Sequence, residues 1–397
     1  MMYDRNIAAL IKTCHLLQWV VASEPAGAAA GGGRMRAAPP RVLMAGTAPE
    51  GRGGVAAVVS VLRRHGLFER ERVRYVATHA DGGRAAKARY ALAGLGRCAW
   101  LCLAQRPAVM HVHAASHASF VRKAALLLVA RLAGCRTVFH LHGGGFRRFA
   151  TEEAGSLQRR WIRHTLERSS AVVTLSEGWA GFVREFAPAA RTVVVPNPVA
   201  LPAVAAPEPA PDPQRILFLG RIEAAKGVFE LLAAGARLAP AFPALRLVFA
   251  GAGDEDALAA LRRRAGELGM LGRIELPGWL GPGARDAELA RAGLFCLPSH
   301  AEGLPMAMLE AMAAGRAVVA SRVGAVPEAL RDGDNGLLVA PGDVDALAAA
   351  LASALGNAAL RARLGRRARA TVAAHYSTEV VCGRLSALYR ELAGTRQ

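Results

Sequence analysis

Short apolar runs alternate with longer mixed stretches along most of this chain. From Arg41 onward the runs RVLMAGTA (41–48), RVRYVATHA (72–80), AVMHVHAA (108–115), RTVFHLHG (136–143), SAVVTLS (170–176) and RTVVVPN (191–197) are rich in β-branched residues. The stretches between them carry Ala, Leu and Arg at helical spacing. Strands that alternate with amphipathic helices predict βαβ units and a mostly parallel sheet. The pattern stops at PNPVALPAVAAPEPAPDPQ (196–214), which has too much proline for a helix or a central strand. A second series follows: RILFLGR, LRLVFAG, RIELPG, LFCLPS, RAVVAS and GLLVA. The expected architecture is therefore α/β, with two facing Rossmann-like, doubly wound parallel-sheet domains and a cleft between them, where ligands of such sheets bind.

The expected boundaries are a low-complexity or disordered extension over 1–40, a first domain over 41–196, a linker over 197–214, and a second domain over 215–375. A C-terminal helix over 376–397 is expected to pack back on the first domain. Met35 offers an alternative start to the low-complexity segment SEPAGAAAGGGRMRAAPP.

Composition narrows the picture. Hydrophobic residues make up 53% of the 397 positions and charged residues 20%, which excludes a disordered chain. The formal charge of +19 resembles that of a nucleic-acid binder. Yet Lys12, Lys87, Lys123 and Lys226 are the lysines, and the remaining basic residues are Arg scattered among Ala and Gly with no readable nucleic-acid motif. Anionic partners such as nucleotide phosphates, lipid headgroups or a pyrophosphate-linked substrate fit better than nucleic acid. The cysteines at 14, 98, 102, 135, 296 and 382 form no C-x-x-C pair, so reduced, buried thiols of a cytosolic protein are expected. No apolar run reaches the roughly 18 residues of a spanning helix.

Three places carry candidate chemistry. In FLGRIEAAKGVFELLAA, Arg221 and Lys226 bracket a strand-to-helix turn, where a helix N-terminus adds positive potential suited to a diphosphate. In SHAEGLPMAMLEAMAAG, Glu302 precedes a helix that Pro305 should open, and Glu310 lies inside it among residues that should be buried. A buried carboxylate needs donors, which ligand hydroxyl groups or a neighbouring Arg would supply. In PEGRGG, Gly53 and Gly54 let backbone N–H groups approach a phosphate or sugar. His142 ends a strand at the cleft, and His111, His113 and His140 occupy comparable strand positions. Of these, His111 and His140 read as core histidines. A zinc reading lacks a Cys or carboxylate partner. The spellings DED (254–256), DGD (332–334) and DVD (343–345) read as caps and a turn, so no metal and no other cofactor is expected.

GRIEAAKG, GAGDEDALAALRRRAGELGMLGRIELPGW and LPSHAEGLPMAMLEAMAAGRAVVASRVGAVPE resemble the C-terminal domain of the family 4 retaining glycosyltransferases, and the Glu302 to Glu310 spacing matches that family's E-x7-E signature. GRGGV, HLHGGGF, TLSE and VVPNPV resemble its N-terminal landmarks, so the likeness runs from Arg41 to the C-terminus. The resemblance implies a nucleotide diphosphate sugar donor, UDP- or GDP-linked. Arg221 and Lys226 would hold its diphosphate, Glu310 the ribose hydroxyls, and Glu302 the donor sugar with backbone N–H groups of Gly303 and Leu304. His142 would contact the sugar near the reacting carbon, and the Gly53/Gly54 loop would close over the diphosphate. It also implies retention at the anomeric carbon, commonly written as front-face attack with the leaving diphosphate accepting the acceptor's proton.

The implied acceptor is a growing glycan or a polyprenyl-diphosphate-linked oligosaccharide of bacterial surface polysaccharide (exopolysaccharide, capsule or lipopolysaccharide) synthesis. A nucleotide-sugar epimerase of related fold and a non-catalytic sugar- or nucleotide-binding partner of an assembly complex are the rivals. The stretches ARYALAGLGRCAWLCLAQR and FVRKAALLLVARLAG read first as core-packed helices of the first domain. The alternative is a peripheral membrane face, on the inner side of the plasma membrane, of an otherwise cytoplasmic protein.

Overall fold

A computed structural model describes residues 41–49, 51, 53–79, 83–202 and 210–394. The expected extension over 1–40, Cys14 within it, and the middle of the expected linker lie outside the described residues.

The first sheet contains β1 (Val42–Thr47), β2 (Val73–His79), β3 (Val109–Ala114), β4 (Arg136–Leu141), β5 (Ala171–Thr174) and β6 (Thr192–Val194), in the order β2-β1-β3-β4-β5-β6. The second contains β7 (Asp212–Leu219), β8 (Arg246–Ala250), β9 (Ile274–Gly278), β10 (Ala292–Leu297), β11 (Ala317–Ser321) and β12 (Leu337–Val339), in the order β12-β11-β10-β7-β8-β9. Neighbouring strands within both sheets pair in parallel. Both sheets are doubly wound, with strand order reversing between β1 and β3 in the first and between β7 and β10 in the second.

The longer helices of the first domain are α1 (Gly54–Arg64), α2 (Arg84–Gln105), α3 (Ala118–Leu132), α4 (Ser156–Glu167) and α5 (Glu177–Phe186). Those that follow are α6 (Val228–Leu238), α7 (Glu255–Glu267), α8 (Pro282–Arg291), α9 (Met306–Ala313), α10 (Val344–Gly356), α11 (Ala358–His375) and α12 (Thr378–Gly394). Strand residues alternate between two covered faces. In β1, Val42 and Met44 pack with Leu62 of α1 and Leu385 and Tyr389 of α12, while Leu43 and Ala45 pack on the side of α2 and α3. Burial on both faces is why these strands read as nearly continuous apolar runs.

β7 begins at Asp212, inside the expected linker. Asp212 pairs with Ala292 of β10, and a Cβ at Gly293 would lie 2.3 Å from the Asp212 carbonyl oxygen, so the glycine lets the strand start early beside its neighbour. Pro213 sits near the strand's start, where its missing N–H is tolerated. The chain crosses between domains a second time near Ser377, where Val199 N–H donates to the Tyr376 carbonyl at 2.9 Å and Thr378 N–H to the Val199 carbonyl at 3.1 Å. After that crossing, α12 lies on the first sheet, and Tyr389, fully buried, makes a 2.6 Å hydrogen bond to His111 Nδ1.

Candidate active site

The carboxyl ends of both sheets face one cleft of about 650 Å³. All nine residues singled out in the sequence line it: Gly53 and Gly54 after β1, His142 after β4, Arg221 and Lys226 after β7, and Glu302, Gly303, Leu304 and Glu310 after β10. Each follows a strand end, and the reversal points of both sheets contribute, which is where ligands of doubly wound sheets bind.

The turn after β7 is shaped by a close approach. Gly227 has φ +70° at the start of α6, and a Cβ there would lie 2.0 Å from the Pro298 carbonyl oxygen. This packing of the β7 turn onto the β10 loop delivers Lys226 to Glu302, with Nζ and Oε1 2.7 Å apart, and Ser299 Oγ donates to the same oxygen at 2.8 Å. Lys226 ends a short 3₁₀ turn (Ala224–Lys226) and does not stand in the first turn of the helix. Arg221 is largely exposed on the cleft rim and pairs with Glu223 at 3.2 Å.

The Glu302 loop is held from the first domain too. A Cβ on Gly144 would come within 2.6 Å of the Glu302 backbone, and Asn197 Nδ2 donates to the Leu304 carbonyl at 2.7 Å. On the far side Ala325 N–H donates to the Gly303 carbonyl at 2.8 Å. The Glu328 carboxylate accepts from the Glu177 and Gly178 N–H groups at 2.8 and 2.9 Å, so the first turn of α5 is capped from the opposite domain.

Pro305 stands one residue earlier than expected, as the N-cap of α9 with φ −72° and ψ 123°. Within α9, Glu310 is nearly buried and meets Arg285 Nη1 of α8 at 2.8 Å. Burial pushes its carboxyl up to about 7, against the opposing pull of Arg285. The plainer sequence account of Glu310, an Arg partner, is thus present, and the side chain still borders the cleft.

His142 stands between two neighbours. His113 Nδ1 lies 2.8 Å from its Nε2, and Asn197 is its second polar neighbour. Burial holds its imidazole down at about 3, so it is neutral at physiological pH. Behind it, rings stack along each strand: His111 over His113 at 4.7 Å between centroids, and His140 beside His142 at 4.1 Å. His111, His113 and His140 each offer a ring nitrogen, all within 4.8 Å of one another, the geometry of a possible metal donor set. His111, however, has both nitrogens engaged, Nδ1 with Tyr389 and Nε2 with His140 Nδ1 at 3.1 Å. His111 is therefore the satisfied core histidine expected, whereas buried His140 keeps Nε2 without a partner.

Sequence reasoning missed Arg285, Arg64, Asn197 and Glu328. Of these, Arg285, Arg64 and Asn197 line the cleft. Cys98, Cys102, Cys135, Cys296 and Cys382 are buried and none is in a disulfide, as the cysteine spacing implied.

The profile of the family described as Glycosyltransferase Family 4 matches residues 51–201, and that of Glycosyl transferases group 1 matches residues 204–371. A glycogen synthase of Mycobacterium tuberculosis is 30% identical over 294 residues, covering 72% of this chain and 69% of that protein. The chain belongs to the family 4 glycosyltransferases. A phosphatidyl-myo-inositol mannosyltransferase of Mycolicibacterium smegmatis is 38% identical to this glycosyltransferase-family chain over 182 residues, and the match spans 45% of each. A D-inositol 3-phosphate glycosyltransferase of Mycobacterium ulcerans is 37% identical over 192 residues, which is 40% of its length. These two matches thus span less than half of each relative.

Among solved structures, sucrose-phosphate synthase from Thermosynechococcus elongatus superposes with a TM-score of 0.72 at 19% identity, covering 89% of this chain and 99% of that one. Anabaena Alr3699/HepE in complex with UDP-glucose superposes at 0.71 with 17% identity, covering 88% and 99%. These likenesses establish the two-domain fold of the glycosyltransferase family.

Proposed function

We propose that this protein is a retaining glycosyltransferase that moves one sugar from a nucleotide diphosphate sugar to a growing, lipid-linked glycan of bacterial surface polysaccharide. The observation that carries the reading is the convergence of Arg221, Lys226, Glu302 and Glu310 on one cleft opposite His142 and the Gly53–Gly54 turn. Its support from relatives is that HepE is described in complex with UDP-glucose, and that one relative is named a phosphatidyl-myo-inositol mannosyltransferase.

In this reading the donor diphosphate lies between Arg221, Lys226 and the N–H groups that open α1 and α6, and these cations stabilise the charge that builds on the departing phosphate. Lys226 is placed by its 2.7 Å pair with Glu302, so one contact orients the phosphate cation and the carboxylate that reads the sugar hydroxyls. Glu310 accepts ribose hydroxyls when ionised. His142, neutral, presents a hydrogen-bonding ring beside the sugar without adding a charge that would oppose a developing oxocarbenium ion. No step requires a metal, because side-chain cations and backbone dipoles supply the electrostatic stabilisation. The acceptor hydroxyl attacks the anomeric carbon from the face the phosphate leaves, and its proton passes to the departing phosphate oxygen.

The test is nucleotide release from a panel of nucleotide diphosphate sugars with and without a glycan acceptor. Acceptor-dependent release that falls at least about a hundredfold in Lys226→Ala and Glu302→Ala, with melting temperatures preserved, is expected. A changed sugar stereocentre with donor alone indicates the epimerase. Near-normal turnover in both variants refutes the site.

A further inference from the structure

The two Arg-bearing apolar stretches of the first domain are not core helices on all sides. In α3 the inner face buries Phe120, Leu126 and Leu127, while Val121, Leu128 and Leu132 form a stripe at i, i+7 and i+11 on the outside. Leu128 is 50% exposed and Leu132 80%. In α2, which packs beside α3, Cys98, Leu101 and Cys102 face inward, while Leu92, Trp100 and Leu103 are 71%, 53% and 62% exposed. Exposed apolar side chains of this size on two adjacent helices need a cover.

Charge says what the cover is. The segments Arg84–Gln105 and Ala118–Leu132 together hold seven Lys and Arg and no Asp or Glu. Lys123 is buried, but Lys87 and Arg89 are exposed, and Arg97, Arg122 and Arg131 reach the edge of the face. The face extends onto α4, where Trp161 meets Phe120 edge-on at 5.2 Å and Leu157 is exposed beside Arg159 and Arg160. Glu153, in the preceding turn, pairs with Arg148 and accepts from His117, each at 2.7 Å, and its neighbour Glu152 is exposed. On α2 and α3, apolar side chains framed by cations alone match an anionic bilayer surface, whose acyl boundary takes Leu and Trp while its headgroups take Arg and Lys. Among the described residues no helix is long and apolar enough to cross a membrane.

We propose that the outer faces of α2 and α3 are a docking surface for an anionic lipid bilayer. Both helices start at the carboxyl end of the first sheet, α2 after β2 and α3 after β3, and run away from the end at which the cleft opens. Docking would hold the first domain against the bilayer that carries a lipid-linked acceptor, a consequence that rests on the proposed function, whereas the docking itself does not.

Vesicle flotation of the full chain tests this independently of transfer. Binding to phosphatidylcholine vesicles containing about one-third phosphatidylglycerol is expected to exceed binding to pure phosphatidylcholine by about tenfold, and to weaken with salt. Leu128→Glu with Leu132→Glu lowers partition at least about tenfold at an unchanged melting temperature and leaves transfer to a soluble acceptor intact. Lys87→Glu with Arg89→Glu, on exposed positions that fold regardless, is expected to remove the preference for anionic lipid. Absence of binding to anionic vesicles overturns the proposal, as does binding that both double variants retain. A lipid-free dimer that Leu128→Glu and Leu132→Glu dissociate also overturns it, because a second copy would then be the cover. Vesicle binding in a protein that transfers no sugar leaves the surface standing and refutes only the proposed activity.

Discussion

Replacing Glu310 by Gln separates two consequences of burying this carboxyl. In the folded protein it keeps its proton up to about pH 7, against an ordinary 4.5, because burial outweighs the Arg285 guanidinium at 2.8 Å. The unfolded chain releases that proton near 4.5. Its contribution to stability is therefore fully present below 4.5 and is lost as pH rises through 7. At about 1.4 kcal/mol per pH unit, the difference amounts to about 3 kcal/mol. Gln is uncharged at every pH and nearly isosteric, so Glu310→Gln should melt close to the parent at pH 5 and on the order of 5 °C above it at pH 8.

Donor binding should move the other way. A carboxylate that accepts ribose hydroxyls must be ionised, so parent affinity for a nucleotide diphosphate sugar should fall about tenfold per pH unit below 7 and level off above about 8. In Glu310→Gln the same curve should be flat and, at pH 8, weaker by about 1.5–3 kcal/mol, the worth of hydrogen bonds to a charged group. His142 does not confound the measurement, because its imidazole stays neutral down to about 3. Titration calorimetry and thermal melting over the same pH series supply both curves. A parent affinity independent of pH, or a variant that keeps the parent's slope, refutes the reasoning.

His113→Leu removes the 2.8 Å partner of His142 and should lower kcat about tenfold with donor KM within about twofold, while His113→Asn, which can still donate, should recover most of it. Imidazole nitrogen chemical shifts of His142 should change with the first substitution, and if neither kcat nor those shifts move, His113 does not position the ring. Tyr389→Phe orphans a nitrogen of fully buried His111 and should cost about 1–3 kcal/mol in denaturant unfolding without changing either KM.

The twelve strands were legible because a sheet covered on both faces leaves no polar alternation to confuse, and each strand end then located its cleft residue. Gly54, His142, Arg221 and Glu302 all stand just past an apolar run, where a doubly wound sheet must open. The pairings were not legible. Arg285 sits in GPGARDAELA, which carries no signal beyond an ordinary helix start, and only the packing of α8 against the β10 side brings it to Glu310. Glu328 caps a helix that lies 151 residues earlier in the chain. Lys226 and Glu302 were each readable as ligand groups, yet their contact depends on Gly227 letting the β7 turn settle against Pro298. Pair identity is tertiary information, since nothing local in either segment selects its partner.

The outer faces of α2 and α3 mark a different limit. A helix that is apolar all round is either buried all round or faces lipid, and periodicity treats the two alike. In α2, Leu101 and Cys102 are buried while Trp100 and Leu103 on either side are open, so residues of one hydrophobic class occupy both faces. The discriminating signal lay in the charges. A helix packed on a sheet and otherwise facing water ordinarily mixes both signs on its outer side, as α7 does with Glu255, Asp256, Arg262, Arg263, Arg264 and Glu267. α2 and α3 carry cations alone. Two adjacent helices that expose Leu and Trp and exclude every carboxylate fit a surface whose counter-charge is supplied from outside the protein, and a bilayer with anionic headgroups supplies both that charge and the apolar cover.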